Sequence, residues 1–474
     1  MTSLSKLFLL TASISALGLA ACQKADTPKS NAPETAKAKN VILFIGDGMG
    51  ISTITAARIY DGQSKGMSGE DNKLSFEEFP NLSLVKTYNL DAQVPDSAGT
   101  ASAMNTGKKT EIGKINVQPG GHYAACETGE GTAPPLMADL AERAGMSTGV
   151  VSTARLTHAT PAAVYGHSFS RGWENDAHMG KEGIEHGCTD LATQLINYSE
   201  GDGIEIALGG GRGGFLPDDA GGRRKDGVDL TVAWEAKSDK HVYAGDAASL
   251  RGLDAKDGQN VFGLFNGSHL SYETDRDNTE EPSLTELTEF AIKNLDARGT
   301  GYFLMVESGR IDHAHHGTNA YRALTETQEL ARAVALADMM TNDEDTLILV
   351  TADHSHVFTI AGYPRIGNPI LGLVVPPGDG GDEDHTSKAA DGLPYTTLGY
   401  HNGENPRSDV EQTEEMVQDK NYHQQSAIRR PSETHGGEDV ALFAKGPGAD
   451  EVHGVIDQAE IFGIMTDALG LEAE

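Results

Sequence analysis

The chain has 474 residues, of which 38% are hydrophobic and 56 are glycine, a composition that excludes a disordered or fibrous protein and suits a globular body with many tight turns. Lys and Arg number 37 against 70 Asp and Glu, a formal net charge of -33 with no basic block, which argues against nucleic-acid binding.

From the N-terminus, Lys6 and the apolar stretch Leu7 to Ala21 predict a signal peptide over residues 1–21, too short for an ordinary membrane span. Its end, Leu19-Ala20-Ala21-Cys22, resembles a bacterial lipobox. That likeness implies cleavage before Cys22, lipidation of Cys22 and, with Gln23 following, an outer-membrane anchor facing the periplasm or the cell surface. An ordinary signal peptide is the alternative. Residues 22–39, poor in large apolar side chains, are expected to form a flexible lipidated tether. Export leaves only Cys126 and Cys188, which are expected to form one disulfide.

Short aliphatic runs at Val41–Ile45, Gly149–Thr153, Ile204–Leu208, Phe303–Val306, Leu347–Thr351 and Ala441–Phe443 predict buried parallel strands. Helical periodicity fills Ser283–Leu295 and Tyr321–Met340. The alternation predicts an α/β fold, a three-layer sandwich around a central, mostly parallel β-sheet. No linker interrupts residues 40–474, so one domain is expected, with polar, glycine-rich insertions at 108–135 and 361–432.

In open parallel sheets ligands gather beyond the carboxyl ends of strands. The first run ends in Asp47 within a glycine loop, where a turn or cap role competes with ligation. Ser97 lies in PDSAGTASAMNTG among small residues at an expected helix start, which would place backbone N–H groups beside a phosphate; a plain N-cap is the competing role. His158 and Thr160 follow the 149–153 run, and Arg171 offers a planar fork suited to two phosphoryl oxygens, or else a surface ion pair. Glu307, Asp312 and His316 crowd one strand end, with Asp312 and His316 one helical turn apart as paired metal ligands are. Asp353 and His354 end another strand, and His435 precedes the last one. These His and Asp groups supply ligands for two zinc ions, while Asp47, Thr160 and Glu307 form an all-oxygen set that suits magnesium.

From about Asn40 to near the C-terminus the chain resembles the alkaline phosphatase family, through DSAGTASAMNTG, MVESGRIDHAHHGTNAYRALTET, VTADHSHVF and ETHGGEDVALFAKGP. The resemblance implies a first zinc on Asp312, His316 and His435, and a second on Asp47, Asp353 and His354 beside a nucleophilic Ser97. It implies magnesium on Asp47, Thr160 and Glu307, and a phosphate clamp at Arg171. His158 and His313 follow the animal-like pattern; the likeness puts His158 just outside the ligands of the third ion and lets His313 reach phosphate through water. His315 and His356 match less specifically and are left unassigned. The Cys126–Cys188 pairing fits the same subgroup, and 361–432 resembles its crown region, implying a homodimer. A calcium site is implied only in part: Phe265 and Glu281 match, but Asn266 replaces an acid and 212–230 diverges.

The expected activity is broad hydrolysis of small phosphomonoesters through a phosphoserine. Two alternatives stand beside it: a phosphodiesterase or sulfatase sharing the paired metal ligands, and a zinc-storing or phosphate-binding lipoprotein without turnover, for which Ser97 would have no purpose.

Overall fold

The strand Asn40–Gly46 (β1) is aliphatic on both faces and buried along its whole length, as a strand must be when helices cover both sides of its sheet. In the computed structural model, which describes residues 37–120, 126, 133–378 and 385–472, β1 lies at the centre of a ten-stranded sheet. The other strands of that sheet are Asn81–Lys86 (β2), Ser147–Arg155 (β3), Ile206–Gly210 (β4), His241–Ala244 (β5), Asn260–Leu264 (β6), Tyr302–Ser308 (β7), Thr346–Ala352 (β8), Val440–Lys445 (β14) and His453–Asp457 (β15). Outside it lie Ser355–His356 (β9), Phe358–Ile360 (β10), Leu398–Gly403 (β11), Ser426–Arg429 (β12) and His435–Gly436 (β13). The sheet order is β15-β2-β14-β8-β1-β7-β3-β4-β6-β5. β1 pairs in parallel with β7 and β8, so Gly46 stands level with Ser308 and Ala352, and the residues that follow all three strands emerge at one edge.

The sheet is mostly parallel as expected, but the Ala441–Phe443 run is not: β14 runs antiparallel to both β8 and β2. A strand buried on both faces is aliphatic whichever way it runs, so its composition carries no direction. Direction comes from the connection, and β14 is reached from the long 361–432 segment rather than by a helical crossover. The run expected at Ile204–Leu208 also sits two residues later, at β4, because the Glu205 carboxylate turns back to accept from the Thr148 N–H at 2.7 Å.

Helix Leu284–Arg298 starts at Ser283, whose Oγ accepts from the Glu286 N–H at 3.1 Å, and stops at Gly299 in the left-handed region (φ 75°). It packs against helix Ala320–Met340 and β3, and Ala320–Met340 packs against helix Ile51–Ser64. A separate group, built around helices Met137–Arg143, Ser97–Thr106 and Glu460–Leu469, also packs on the sheet, giving the three layers. Cys126 and Cys188 form a disulfide.

The signal peptide, Cys22 and tether residues up to 36 lie outside the described residues, as do 121–125 and 127–132 of the first insertion and 379–384 of the second. At the end of the tether range, Ala38 is buried and its N–H donates to the Ala468 carbonyl at 2.8 Å, so the packed body starts slightly before Asn40. Among the described residues no helix is long and apolar enough to cross a membrane.

Candidate metal centre

The helix Ser97–Thr106 is capped by Asp96, not by Ser97: Asp96 Oδ1 accepts from the Gly99 N–H at 3.2 Å. That removes the competing role for Ser97. Its Oγ is left 3.2 Å from His354 Nε2, and the residue is 1% exposed. The small residues of this helix are all buried, and Thr100 donates to Asp353 Oδ2 at 3.3 Å, tying the helix start to the end of β8.

Two strand ends converge opposite Ser97. Asp47 leaves β1, and Asp353 and His354 leave β8; His354 Nε2 is 3.4 Å from Asp47 Oδ1 and 3.3 Å from Asp353 Oδ2. The Gly48 and His354 N–H groups donate to Asp353 Oδ1 at 3.0 and 2.9 Å, which leaves Asp353 Oδ2 facing the cluster. Gly48 has φ +71°, and a Cβ there would stand 2.3 Å from His356 Nε2, so only glycine lets the β1 loop pass this close.

Asp312 and His316 lie one turn apart on helix Arg310–His316, 3.2 Å between Oδ1 and Nε2. His435 arrives from a distant segment because β13 pairs with β9, setting His435 opposite His356. Its Nε2 is 3.4 Å from Asp312 Oδ1 and 3.2 Å from His316 Nε2. The Nδ1–H of His316 donates to the Glu433 carbonyl at 2.7 Å and that of His435 to the Pro95 carbonyl at 2.8 Å. A carbonyl only accepts, so both rings are held with Nδ1 protonated and Nε2 aimed inward, the tautomer a metal ligand needs.

Beside this cluster, Asp47, His158 and Glu307 each present an atom within 4.8 Å of the others. Both Asp47 oxygens, Glu307 Oε1, Thr160 Oγ1 and His158 Nδ1 are buried without a hydrogen-bond partner among the described residues, and Ser152 Oγ donates to the other Glu307 oxygen. A ring nitrogen of His158 thus lies within 4.8 Å of the Asp47 and Glu307 oxygens, beside the third set. Arg171 donates from Nη1 to Asp96 Oδ2 at 3.0 Å and lies 3.3 Å from His158 Nε2 through Nη2. The His313 ring lies 4.0 Å from the His269 ring, tilted 54° to it, and its Nδ1 has no partner among the described residues.

The electrostatics favour cations here. Burial, then the charges of Asp353, Asp312 and Glu307, raise the Asp47 carboxyl well above its usual range, and burial pushes Glu307 up to about 7. Ionised carboxylates packed this densely cost several kcal/mol each unless paired or metal-bound. The unpartnered oxygens of Asp47, Thr160 and Glu307, together with two imidazole Nε2 atoms aimed at one point, fit metal ions in both chemistry and aim. The calcium set fits poorly: Glu281 Oε1 accepts from Asn266 Nδ2 at 2.6 Å and Ser271 Oγ at 3.0 Å, and Oε2 from the Ser271 N–H at 2.7 Å. Protein donors fill the positions a cation would take.

Sequence reasoning missed two supports. Asp96 gathers four donors, and its place immediately before Ser97 was the available signal. His356 bridges Glu433 Oε2 at 2.6 Å and Asp312 Oδ1 at 2.9 Å; against burial, those carboxylates raise it to about 10, making it an imidazolium that orients Asp312. His315, by contrast, is structural: it lies 2.8 Å from the Tyr400 hydroxyl and 2.9 Å from Thr53 Oγ1, all buried.

A family model described as alkaline phosphatase matches residues 38–471. The tissue-nonspecific alkaline phosphatase isozyme of Rattus norvegicus is 41% identical over 449 residues, covering 91% of this chain and 83% of that protein. An alkaline phosphatase of Gadus morhua is 40% identical over 441 residues, covering 89% and 90%. Among solved structures, the Thermus thermophilus alkaline phosphatase superposes with a TM-score of 0.67 at 24% identity, covering 94% of this chain and 96% of that one. The alkaline phosphatase of the Antarctic bacterium TAB5 gives 0.62 at 24%, covering 92% and 99%. At these identities the structures speak for the fold alone.

Proposed function

The chain belongs to the alkaline phosphatase family of phosphomonoesterases, and we propose that it works through a phosphoserine at Ser97 in a centre of two zinc ions and one magnesium ion. Asp312, His316 and His435 would hold the first zinc, Asp47, Asp353 and His354 the second, and Asp47, Thr160 and Glu307 the magnesium, with His158 against it. When bound, these cations supply positive charge that acidifies the Ser97 hydroxyl and a water and neutralises the departing oxygen.

Ser97 Oγ bonds to phosphorus as the ester oxygen leaves with a proton to become the alcohol; water then takes the phosphoryl group from Ser97, releasing phosphate and restoring the hydroxyl. The N-terminus of helix Ser97–Thr106 turns backbone N–H groups toward the phosphoryl group, and Arg171, held by Asp96, offers its fork to two of the equatorial oxygens. With the attacking and leaving oxygens both met by cations, the identity of the alcohol would matter little, which supports broad specificity for small phosphomonoesters.

The observation that carries this reading is the convergence of Ser97 Oγ, Asp47 and Asp353 on His354 Nε2, at 3.2, 3.4 and 3.3 Å. The test is p-nitrophenyl phosphate turnover before and after exhaustive chelation, with metal analysis. The reading requires activity to vanish and to return with zinc plus magnesium; full turnover by the stripped protein would overturn it. The leader, the lipobox likeness and the crown-like 361–432 segment support, on sequence grounds, export from a bacterial cell, anchoring through Cys22 at the periplasmic or outer surface, and a homodimer.

A further inference from the structure

At the opposite end of the sheet, where β3 and β4 begin rather than end, three carboxylates meet that play no part in the chemistry above. Glu142 comes from helix Met137–Arg143, and Asp202 and Glu205 from the turn that leads into β4. Each offers an oxygen within 4.8 Å of the other two. Glu142 is 3% exposed, and neither of its carboxylate oxygens has a hydrogen-bond partner among the described residues. The buried Thr148 hydroxyl and the Asp202 backbone N–H lie beside it, neither in full hydrogen-bond geometry. Glu205 is buried too; one of its oxygens accepts from the Thr148 N–H at 2.7 Å, and the other lies 3.7 Å from Arg298 Nη1. Arg298 is shared with the Gln259 carbonyl and Asn260 Oδ1, and the nearby Arg143 donates to Glu200 at 2.9 Å, so neither guanidinium neutralises Glu142. Asp202 alone is exposed and leaves a side open to solvent.

We propose that Glu142, Asp202 and Glu205, with the Thr148 hydroxyl, form a binding site for one hard divalent cation of the calcium class, remote from the catalytic centre. All the donors are oxygen, which selects against zinc and for calcium or magnesium; the open Asp202 side leaves room for waters, and calcium accepts six to eight ligands in loose geometry. The ion would clamp the helix to the β4 turn. The turn is shaped for that approach: Gly201 has φ +55°, and a Cβ there would stand 2.4 Å from Glu142 Oε2. Without a cation, burial and the Glu205 charge push Glu142 up to about 8, and burial pushes Glu205 up to about 7, so a proton competes for the same oxygens near neutrality.

The test uses the holoenzyme loaded with zinc and magnesium and then freed of excess metal by gel filtration, at pH 8.5, and follows thermal unfolding against added calcium chloride. The wild type is expected to gain stability saturably, and Asp202→Asn, an exposed and conservative change, to need at least about tenfold more calcium while keeping wild-type phosphomonoesterase activity. Glu142→Gln is expected to lose the calcium response and, with its buried charge removed, to unfold at a higher temperature than the wild type when no calcium is added. A wild type indifferent to calcium would mean that Glu142 and Glu205 hold only a proton. An Asp202→Asn variant with an unchanged calcium midpoint would place the ion elsewhere. Either result overturns the proposal.

Discussion

Replacing Asp96 by Asn tests how phosphate recognition is held in place. Four donors converge on this carboxylate: the Asn89 Nδ2 and Gly99 N–H groups on Oδ1 at 2.9 and 3.2 Å, and the Gly113 N–H and Arg171 Nη1 groups on Oδ2, both at 3.0 Å. A carboxylate accepts on both oxygens, whereas an amide turns an NH2 toward one pair of donors whichever way it flips. If the oxygen stays on the helix cap, Arg171 loses its anchor and meets a donor instead. A hydrogen bond to a charged group contributes about 1.5–3 kcal/mol, and the Arg171 side chain, 29% exposed, belongs at the low end of that range. The expected stability loss for Asp96→Asn is therefore about 2 kcal/mol. If the loss of Arg171 alignment is felt on the phosphoryl group at about 1.4–2.8 kcal/mol, kcat/KM falls about 10- to 100-fold. Steady-state kinetics with inorganic phosphate as a product inhibitor separates the roles, because a displaced Arg171 weakens inhibition by phosphate as well. A variant that loses stability but keeps kcat/KM and phosphate inhibition within about twofold of wild type would refute the reasoning, leaving Asp96 as a helix cap alone.

Away from the centre, burial pushes Glu326 up to about 8, with its link to the Glu273 N–H and the Arg310 charge pulling the other way. A carboxyl whose folded pKa is raised binds more protons folded than unfolded, so its contribution to stability declines as pH climbs from about 4.5 through 8. Glu326→Gln keeps an acceptor for the Glu273 N–H and is expected to unfold about 2–4 kcal/mol later than wild type at pH 9, with the gain fading by pH 5; a gain independent of pH, read from denaturant midpoints, would rule this out. The Cys126–Cys188 bridge spans 62 residues, for which chain entropy predicts about 4 kcal/mol. Cys188→Ser should lower the unfolding midpoint accordingly, and an unchanged midpoint would show that the bridge closes nothing the fold does not already hold.

The parts of the centre legible in the sequence are those whose geometry is local. Asp312 and His316 share a helix face, and Asp47, Glu307 and Asp353 each lie at the end of a strand whose aliphatic run is unmistakable. His435 meets them only through the two-residue pairing of β13 with β9, which no spacing encodes; the sequence marks it only as a histidine before the last strand, and its place on the first zinc comes from family likeness. The role of Ser97 was obscured because a serine at a helix start caps well, and the matter turns on one position: Asp96 takes the cap and frees the hydroxyl. The direction of β14 was hidden because an aliphatic run reads the same whichever way it runs, and only the connection through 361–432 sets it. Glu142, Asp202 and Glu205 were invisible as a group because helix packing and strand order bring them together across some sixty residues of chain, a distance the contacts cross and the sequence does not.

The most direct test of the account is to quench the metal-loaded protein in mild acid after incubation with a phosphomonoester or inorganic phosphate, and to map phosphorylation by peptide mass spectrometry alongside turnover by Ser97→Ala. The account predicts a phosphoryl group on Ser97 and loss of turnover in the variant. An unmodified Ser97 in an active enzyme, or wild-type turnover by Ser97→Ala, would contradict it.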